Sequence, residues 1–215
     1  MVRISASLLA ADFACLGEDV RRAEIAGVDA FHFDMMDGHY VPNIAFAPQH
    51  LKVLRNYTGL PFHLHLELGN PDFVLENFPE LDADLILVQW DTIQDPAKTF
   101  SRIMNRGAKV GLSLNPADDI SAIKPYLHLI DSLLLLSVNP GFGGQKMVSG
   151  INTRVSEAKI ICDEINPGLP LAIDGGITFE NAGELIKNGI DWLIIGTALF
   201  NRENMGEYVS KIKEY

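Results

Sequence analysis

The sequence has few basic residues. Lysine and arginine together number 17 against 28 aspartates and glutamates, which gives a formal net charge of −11 at pH 7. A surface that binds nucleic acid needs clustered lysine and arginine, so this balance argues against a nucleic-acid partner. An anionic ligand would have to be held by local groups, since the overall charge of the protein repels it.

Long apolar runs and cysteines are also scarce. No apolar run reaches 18 residues, and the start of the chain, Met-Val-Arg-Ile-Ser-Ala-Ser, has no basic segment followed by a cleavable apolar stretch. We therefore expect a cytoplasmic protein with no membrane partner. Cys15 and Cys162 are too few for a disulfide framework, and because both lie in helix-like segments we predict two buried thiols.

The chain is rich in a regular alternation of short apolar runs and amphipathic segments. Continuous apolar runs such as 133–136 and 193–195 are typical of parallel strands that are covered on both faces. Helical patterns lie between the strands, at 16–26, 48–55, 71–78, 96–106, 118–127, 154–165, 180–188 and 205–213. The eight predicted strands are 3–8, 30–34, 61–66, 85–89, 109–114, 133–138, 169–174 and 192–196.

Eight strand and helix units in 215 residues favour one α/β domain, a single (β/α)8 TIM barrel over residues 1–215. An open doubly wound sheet, the alternative, usually stops at five or six strands. In such a barrel the carboxyl ends of the strands and the loops after them line one mouth, where the chemistry takes place.

Side chains that can bind a metal stand at three of the predicted strand ends. His32 and Asp34 are two residues apart, so they share one face of a strand, and His65 and Asp174 end two further runs. Two imidazoles and two carboxylates suit Zn, Fe(II), Mn or Co better than Mg. The alternative is a buried polar network with no ligand, which would not need the glycine-rich loops that accompany these strands.

Glycine-rich segments follow the last three strands. They are Asn-Pro-Gly-Phe-Gly-Gly-Gln at 139–145, Gly175 with Gly176, and Gly196 with Thr197. Glycines let backbone N–H groups approach an anion closely, and barrels commonly bind phosphate with the loops after the seventh and eighth strands. We therefore predict a phosphate site.

Three motifs carry a resemblance to a known family: Ser-Leu-Leu-Ala-Ala-Asp-Phe at 7–13, His-Phe-Asp-Met-Met-Asp-Gly-His-Tyr-Val-Pro-Asn at 32–43, and Ser-Val-Asn-Pro-Gly-Phe-Gly-Gly-Gln at 137–145. With 114–116, 174–177 and 196–200 they cover essentially the whole chain, in order. The sequence resembles the ribulose-phosphate 3-epimerase family.

The resemblance implies roles for particular residues. His32, Asp34, His65 and Asp174 would bind one divalent metal ion, and Asp34 and Asp174 would form the acid/base pair. Ser7 and His65 would touch the substrate, and Met36 would line an apolar wall. The phosphate would be held by Gly141, Phe142, Gly143, Gly144, Gly175, Gly176, Gly196 and Thr197.

Three positions depart from the family pattern. Glu67 and Leu136 stand where the family usually has methionines, and Gln89 stands where it commonly has a histidine. Glu67 could face away from the site as a salt-bridge partner, or it could enter the site and hydrogen-bond a substrate hydroxyl. We treat these three residues as candidates for substrate specificity.

The resemblance implies a metal-dependent ketose-phosphate 3-epimerase, most simply one that interconverts D-ribulose 5-phosphate and D-xylulose 5-phosphate. The alternatives are a 3-epimerase of another sugar phosphate such as D-allulose 6-phosphate, and a non-catalytic sugar-phosphate-binding homologue. Decarboxylases and isomerases that depend on a strand-end lysine are disfavoured, since no such lysine stands out. The expected partners are a small sugar phosphate and further copies of the chain in a homo-oligomer.

Overall fold

Eight parallel strands close into a barrel in the computed structural model, which describes residues 1–79 and 81–215. A short strand, β3, pairs antiparallel with the end of β2 and lies outside the ring. The ring runs β1, β2, β4, β5, β6, β7, β8, β9 and back to β1, which confirms the predicted TIM barrel. The strands are β1 (Arg3–Ser7), β2 (Ala30–Asp37), β3 (Ile44–Ala45), β4 (Phe62–Glu67), β5 (Leu85–Gln89), β6 (Lys109–Leu114), β7 (Ser132–Leu136), β8 (Leu171–Asp174) and β9 (Trp192–Ile195).

Helices cover the outside of the barrel. Proline begins three of them, α2, α3 and α4, where its missing N–H costs nothing, and the side chains of Asn70 and Asp95 cap two by accepting backbone N–H groups. The helices are α1 (Leu16–Ile25), α2 (Pro48–Leu54), α3 (Pro71–Asn77), α4 (Pro96–Met104), α5 (Ile151–Ile165), α6 (Phe179–Lys187), α7 (Thr197–Phe200) and α8 (Met205–Lys213).

Three predictions about local structure were wrong. The segment predicted as a helix at 118–127 is a 3-10 helix, Ile120–Leu129, because Pro125 within it has no N–H to donate. The second strand continues past Asp34 to Asp37. Cys15 is exposed, because it precedes the first turn of α1 and does not lie on that helix's inner face, whereas Cys162 is buried as expected.

Two buried clusters explain why the strand sequences are so apolar. The larger cluster fills the space between barrel and helices and includes Phe31, Phe33, Phe62 and Leu64. The smaller one lies inside the barrel, on the strands β5, β7, β8 and β9, and consists of Leu85, Leu87, Leu134, Leu136, Ala172 and Ile194. Polar side chains occupy most of the rest of the barrel interior, on β1, β2 and β4 and, nearer the mouth, on β5, β6 and β8.

Four aspartates tie the strands together in pairs at their amino ends. Each aspartate precedes a strand, donates its own N–H to a carbonyl in the preceding barrel strand, and accepts the N–H of that same residue at Oδ2. The paired bonds are 2.7–2.9 Å long, and they link β1 to β2, β4 to β5, β6 to β7 and β8 to β9. The pairs are Asp29 with Ile4, Asp84 with Phe62, Asp131 with Val110 and Asp191 with Leu171.

Within the described residues, no helix is both long and apolar enough to cross a membrane.

The aspartate pairing predicts a measurable loss of stability. Asp131→Ala removes the acceptor for the N–H of Val110, so we expect the free energy of unfolding to fall by about 1–2 kcal/mol in denaturant titrations. Asp131→Asn keeps an acceptor oxygen and should lose less than half of that. Asp163→Ala, which among the described residues breaks only an exposed helix ion pair with Lys159, should stay within about 0.5 kcal/mol of the wild type. Equal losses in Asp131→Ala and Asp163→Ala would contradict this account.

Candidate active site

Four metal-ligand-type side chains meet near the carboxyl ends of the barrel strands. His32 and Asp34 come from β2, His65 from β4 and Asp174 from β8, and one ligand atom of each lies within 4.8 Å of the others. The parallel register pairs Asp34 with His65, which puts both at the same level of the barrel interior. The first three side chains are buried, while Asp174 borders the open mouth. We call these residues the four-residue cluster.

Asp34 is the centre of the cluster. Its Oδ1 lies 3.0 Å from Nε2 of His32 and 3.3 Å from Nδ1 of His65. The hydroxyl of Ser7 donates a hydrogen bond of 3.0 Å to its other oxygen, Oδ2. Asp34 is therefore held in one orientation from three neighbouring strands, β1, β2 and β4.

The two carboxyl groups of the cluster have opposite pKa shifts. Burial would raise the pKa of Asp34, but the charge and hydrogen bond of His32, together with His65, hold that pKa well below its usual range. Burial, and then the charge of Asp34, raise the pKa of Asp174 to about 7. The pair therefore combines a carboxylate with a carboxyl group that keeps its proton close to neutral pH.

The two histidines of the cluster also differ. Burial lowers the pKa of His32, but Asp34 and Asp174 more than offset this and leave the pKa above its ordinary value. Burial lowers the pKa of His65 and leaves the imidazole neutral, the form that binds metals. A cation bound here would lower the pKa values of all its ligands.

The donor set of the cluster fits a divalent metal ion. It offers two imidazole nitrogens and two carboxylates, and Nδ1 of His32 and Nε2 of His65 are buried without a hydrogen-bond partner among the described residues. A purely structural polar network would be expected to satisfy such atoms, because an unpaired buried polar group costs about 1–3 kcal/mol. The cluster could hold a metal, and it fits that role better than the role of a structural network.

A cleft opens above the cluster. Asp34 and Asp174 reach it, whereas His32 and His65 lie beneath its floor. The structure also brings into its wall almost every residue that the sequence analysis singled out: Ser7, Met36, Glu67, Leu136, Gly141, Phe142, Gly143, Gly144, Gly175, Gly176, Gly196 and Thr197. Gln89 does not line the cleft and is completely buried.

Two of the glycines are required by the fold of the cleft wall. Gly176 has φ +58°, and a Cβ there would come within 2.7 Å of the carbonyl oxygen of Gln145. Gly175 has φ +109°, and its Cβ would clash with Val138. Gly143 is different, because a Cβ there would point into the cleft 3.7 Å from Oγ1 of Thr197. The three glycine-rich segments, 139–145, 175–176 and 196–197, thus pack closely together around one side of the cleft.

Glu67 enters the site, which decides between the two orientations left open by the sequence. Its side chain is 3% exposed, lines the cleft and lies two residues beyond His65 on the same face of β4. Burial, followed by the charges of Asp34 and Asp174, raises its pKa well above the ordinary value. In its protonated form the carboxyl group of Glu67 can both donate and accept a hydrogen bond.

Sequence reasoning missed the residues that hold the loop after β2 across the mouth. The side chain of Asn43 donates to the carbonyl oxygen of Gly141 over 2.7 Å, which joins this loop to the glycine-rich segment 139–145. The hydroxyl of Tyr40 donates to Asp91 over 3.0 Å and accepts from Asn115 over 2.8 Å. Tyr40 and Asn43 lie within the motif at 32–43, and that motif was the sequence signal from which their role could have been found.

Comparison with known proteins agrees with this geometry. The sequence model described as the ribulose-phosphate 3 epimerase family matches residues 3–200. The ribulose-phosphate 3-epimerase of Bacillus subtilis (strain 168) is 34% identical over 214 residues, covering 99% of both chains. The chloroplastic ribulose-5-phosphate-3-epimerase of Arabidopsis thaliana is 39% identical over 98% of this chain and 75% of its own. A mutant tryptophan synthase alpha-subunit from Pyrococcus furiosus superposes with a TM-score of 0.72 at 17% identity, over 99% of this chain and 96% of that one, and shows the fold alone.

The cluster predicts one metal site per chain. Chelator-stripped protein should bind one equivalent of Zn or Mn in titration calorimetry, more weakly as pH is lowered because protons compete for the ligands. His65→Ala should lower the affinity by about 100-fold or more, since even residues that only support metal ligands are worth about 10–100-fold.

His63→Gln is the matched control, because His63 lies on the same strand but outside the cluster. It should keep one equivalent at wild-type affinity. Metal binding that survives in His65→Ala would argue against this ligand set.

Proposed function

The chain belongs to the ribulose-phosphate 3-epimerase family, and we propose that it interconverts D-ribulose 5-phosphate and D-xylulose 5-phosphate with the help of one divalent metal ion. Membership of this family makes it an isomerase that acts on a carbohydrate. The observation that carries the finer proposal is the pair Asp34 and Asp174, which reach one cleft from strands on either side of β1 and β9.

Epimerisation at carbon 3 of a ketose requires that a proton leave one face and a proton return to the other. The carbonyl at carbon 2 makes the carbon 3 proton acidic, and its removal produces an enediolate. In the proposed reaction Asp34, held as a carboxylate by its histidine neighbours, takes the proton from carbon 3. Asp174, which reaches the same cleft from β8, delivers a proton to the opposite face. The roles exchange in the reverse direction.

The rest of the four-residue cluster supports this exchange. A divalent ion held by His32, Asp34, His65 and Asp174 would supply positive charge that stabilises the enediolate. The donor set leaves Zn, Fe(II), Mn and Co as candidates. Ser7 fixes the orientation of Asp34 through its hydrogen bond, and Met36 and Leu136 exclude water from the cleft.

The glycine-rich segments are the proposed phosphate site. They follow the three consecutive strands β7, β8 and β9 and border the same cleft as the two aspartates. Backbone N–H groups and the hydroxyl of Thr197 can hold an anion without lysine or arginine, which suits a chain with a net charge of −11. Pentulose phosphate bound in this way would place its carbon chain over the four-residue cluster.

The position of Glu67 in the cleft favours a second candidate function, a 3-epimerase of another ketose phosphate such as D-allulose 6-phosphate. This acidic side chain enters the cleft where the family usually has a methionine. Comparing kcat/KM for the two sugar phosphates decides between them. A homologue that binds sugar phosphate without turnover would show no exchange of the carbon 3 proton with either. Self-association and a cytoplasmic location stay predictions.

The two-aspartate mechanism predicts an asymmetric defect in Asp174→Asn. Epimerisation should fall by about 1,000-fold, within the range for loss of a general acid or base. Asp34 can still act on one face, so carbon 3 of only one of the two epimers should keep exchanging with heavy water, as followed by NMR. Metal content must be measured in parallel, because Asp174 is also a proposed ligand. Near-normal epimerisation, or equal exchange of both epimers, would rule out the assigned pair.

The phosphate site predicts a defect in Gly143→Ala that affects binding. The added Cβ would occupy the cleft 3.7 Å from Thr197 without backbone strain, so we expect KM for the sugar phosphate to rise about tenfold with little change in the free energy of unfolding. Gly59→Ala is the control, since a Cβ there meets nothing within 4 Å among the described residues. An unchanged KM in Gly143→Ala would mean that the phosphate binds at another place.

A further inference from the structure

A second group of polar side chains lies inside the barrel, beside the four-residue cluster. Glu67, Gln89 and Ser113 end the interior faces of three adjacent strands, β4, β5 and β6. The register pairs Gln89 with Ser113, and Leu66 with Val88 one residue earlier, so the three side chains stand next to one another. We call them the polar row.

The polar row is buried but not satisfied. The three residues are 3%, 0% and 0% exposed. Oε2 of Glu67, both side-chain amide atoms of Gln89 and Oγ of Ser113 have no hydrogen-bond partner in the part of the chain that the structure describes. Buried polar groups are nearly always paired, so adjacent unpaired atoms beside a cleft point to a polar ligand.

Glu67, at the end of β4, lies across the barrel from Gly175 and Gly176, which follow β8. The four-residue cluster draws on both of these strands, through His65 and Asp174. A ketose phosphate with its phosphate on the glycines and carbons 2 and 3 over the cluster directs carbon 1 toward the row. Glu67 is the member that reaches the cleft, and Gln89 and Ser113 lie behind it.

We propose that Glu67 hydrogen-bonds the hydroxyl on carbon 1 of the substrate and thereby selects ketose phosphates that carry a free hydroxymethyl end. This inference rests on the proposed function, because it takes the substrate's orientation from it. Gln89 and Ser113 are positioning residues, which provide donors and acceptors on the buried side of Glu67.

Glu67 is not placed as a fifth metal ligand. The four ligand atoms that lie within 4.8 Å of one another belong to His32, Asp34, His65 and Asp174. A contact with substrate and a contact with metal therefore have separable consequences, since only the second changes metal affinity.

The experiment pairs a change in the protein with a change in the ligand. Xylitol 5-phosphate and its 1-deoxy counterpart have no carbonyl and cannot react, so their affinities for metal-loaded protein can be compared by titration calorimetry. Wild-type protein should prefer the hydroxylated ligand by about 10- to 100-fold, the range for one or two well-made hydrogen bonds. Glu67→Met should reduce the preference to less than about threefold, by weakening the hydroxylated ligand alone.

Three controls accompany this comparison. Glu67→Gln retains a hydrogen-bonding side chain and should keep most of the preference. Leu136→Met changes the opposite, apolar wall of the cleft and should affect both ligands equally. Metal titrations of Glu67→Met should match the wild type and its thermal unfolding should show no loss of stability, which separates the proposed contact from a metal ligand or a fold defect.

Each outcome distinguishes this inference from the proposed function. If the wild type epimerises D-ribulose 5-phosphate while Glu67→Met keeps the full preference, the contact with carbon 1 is wrong and the function stands. If the wild type shows the preference but turns over neither pentulose phosphate, the contact stands and the reaction is another one. Weaker metal binding in Glu67→Met, or no binding of either ligand by the wild type, overturns the inference.

Discussion

The parallel register between β2 and β4 is the constraint on which the site depends. It pairs Asp34 with His65, and the register between β1 and β2 brings Ser7 level with His32. A slip of one residue would turn each of these side chains from the barrel interior to the helix-covered face. Closure of the barrel then brings Asp174 on β8 to the same point, so the cluster exists only if the whole ring forms.

The same constraint gives the barrel interior a polar and an apolar region. Polar side chains lie on β1, β2 and β4 and at the mouth ends of β5, β6 and β8, while the apolar region consists of Leu85, Leu87, Leu134, Leu136, Ala172 and Ile194. Burying so many polar groups opposes folding unless ligands or neighbours satisfy them. The paired bonds of Asp29, Asp84, Asp131 and Asp191 at the amino ends of the strands stabilise the ring at the end remote from this polar region.

Electrostatics explain how an acidic protein can work on an acidic substrate. Three carboxyl groups, those of Asp34, Asp174 and Glu67, border one cleft, and they cannot all ionise at low cost. The histidines keep Asp34 charged, whereas burial and mutual repulsion raise the pKa values of Asp174 and Glu67. Negative charge in the cleft is thus kept down, and in the proposed arrangement the phosphate lies on backbone N–H groups on the far side.

The sequence by itself determined the fold class, the order of eight strands and the four-residue cluster, because alternating apolar runs and strand-end histidines and aspartates are local signals. It also predicted the glycine-rich wall of the cleft. It did not determine that Cys15 is exposed, since that depends on where α1 begins and how it packs. The 3-10 form of Ile120–Leu129 follows from Pro125, a local signal that the helical pattern obscured.

Only the tertiary structure decided that Glu67 enters the cleft while Gln89, on the neighbouring strand, stays buried. It also decided that the loop of Tyr40 and Asn43 crosses the mouth. A strand buried on both faces gives no signal of which side is the interior. Contacts between loops that are far apart in the chain leave no periodic pattern in the sequence. They can therefore be recognised only in the folded barrel.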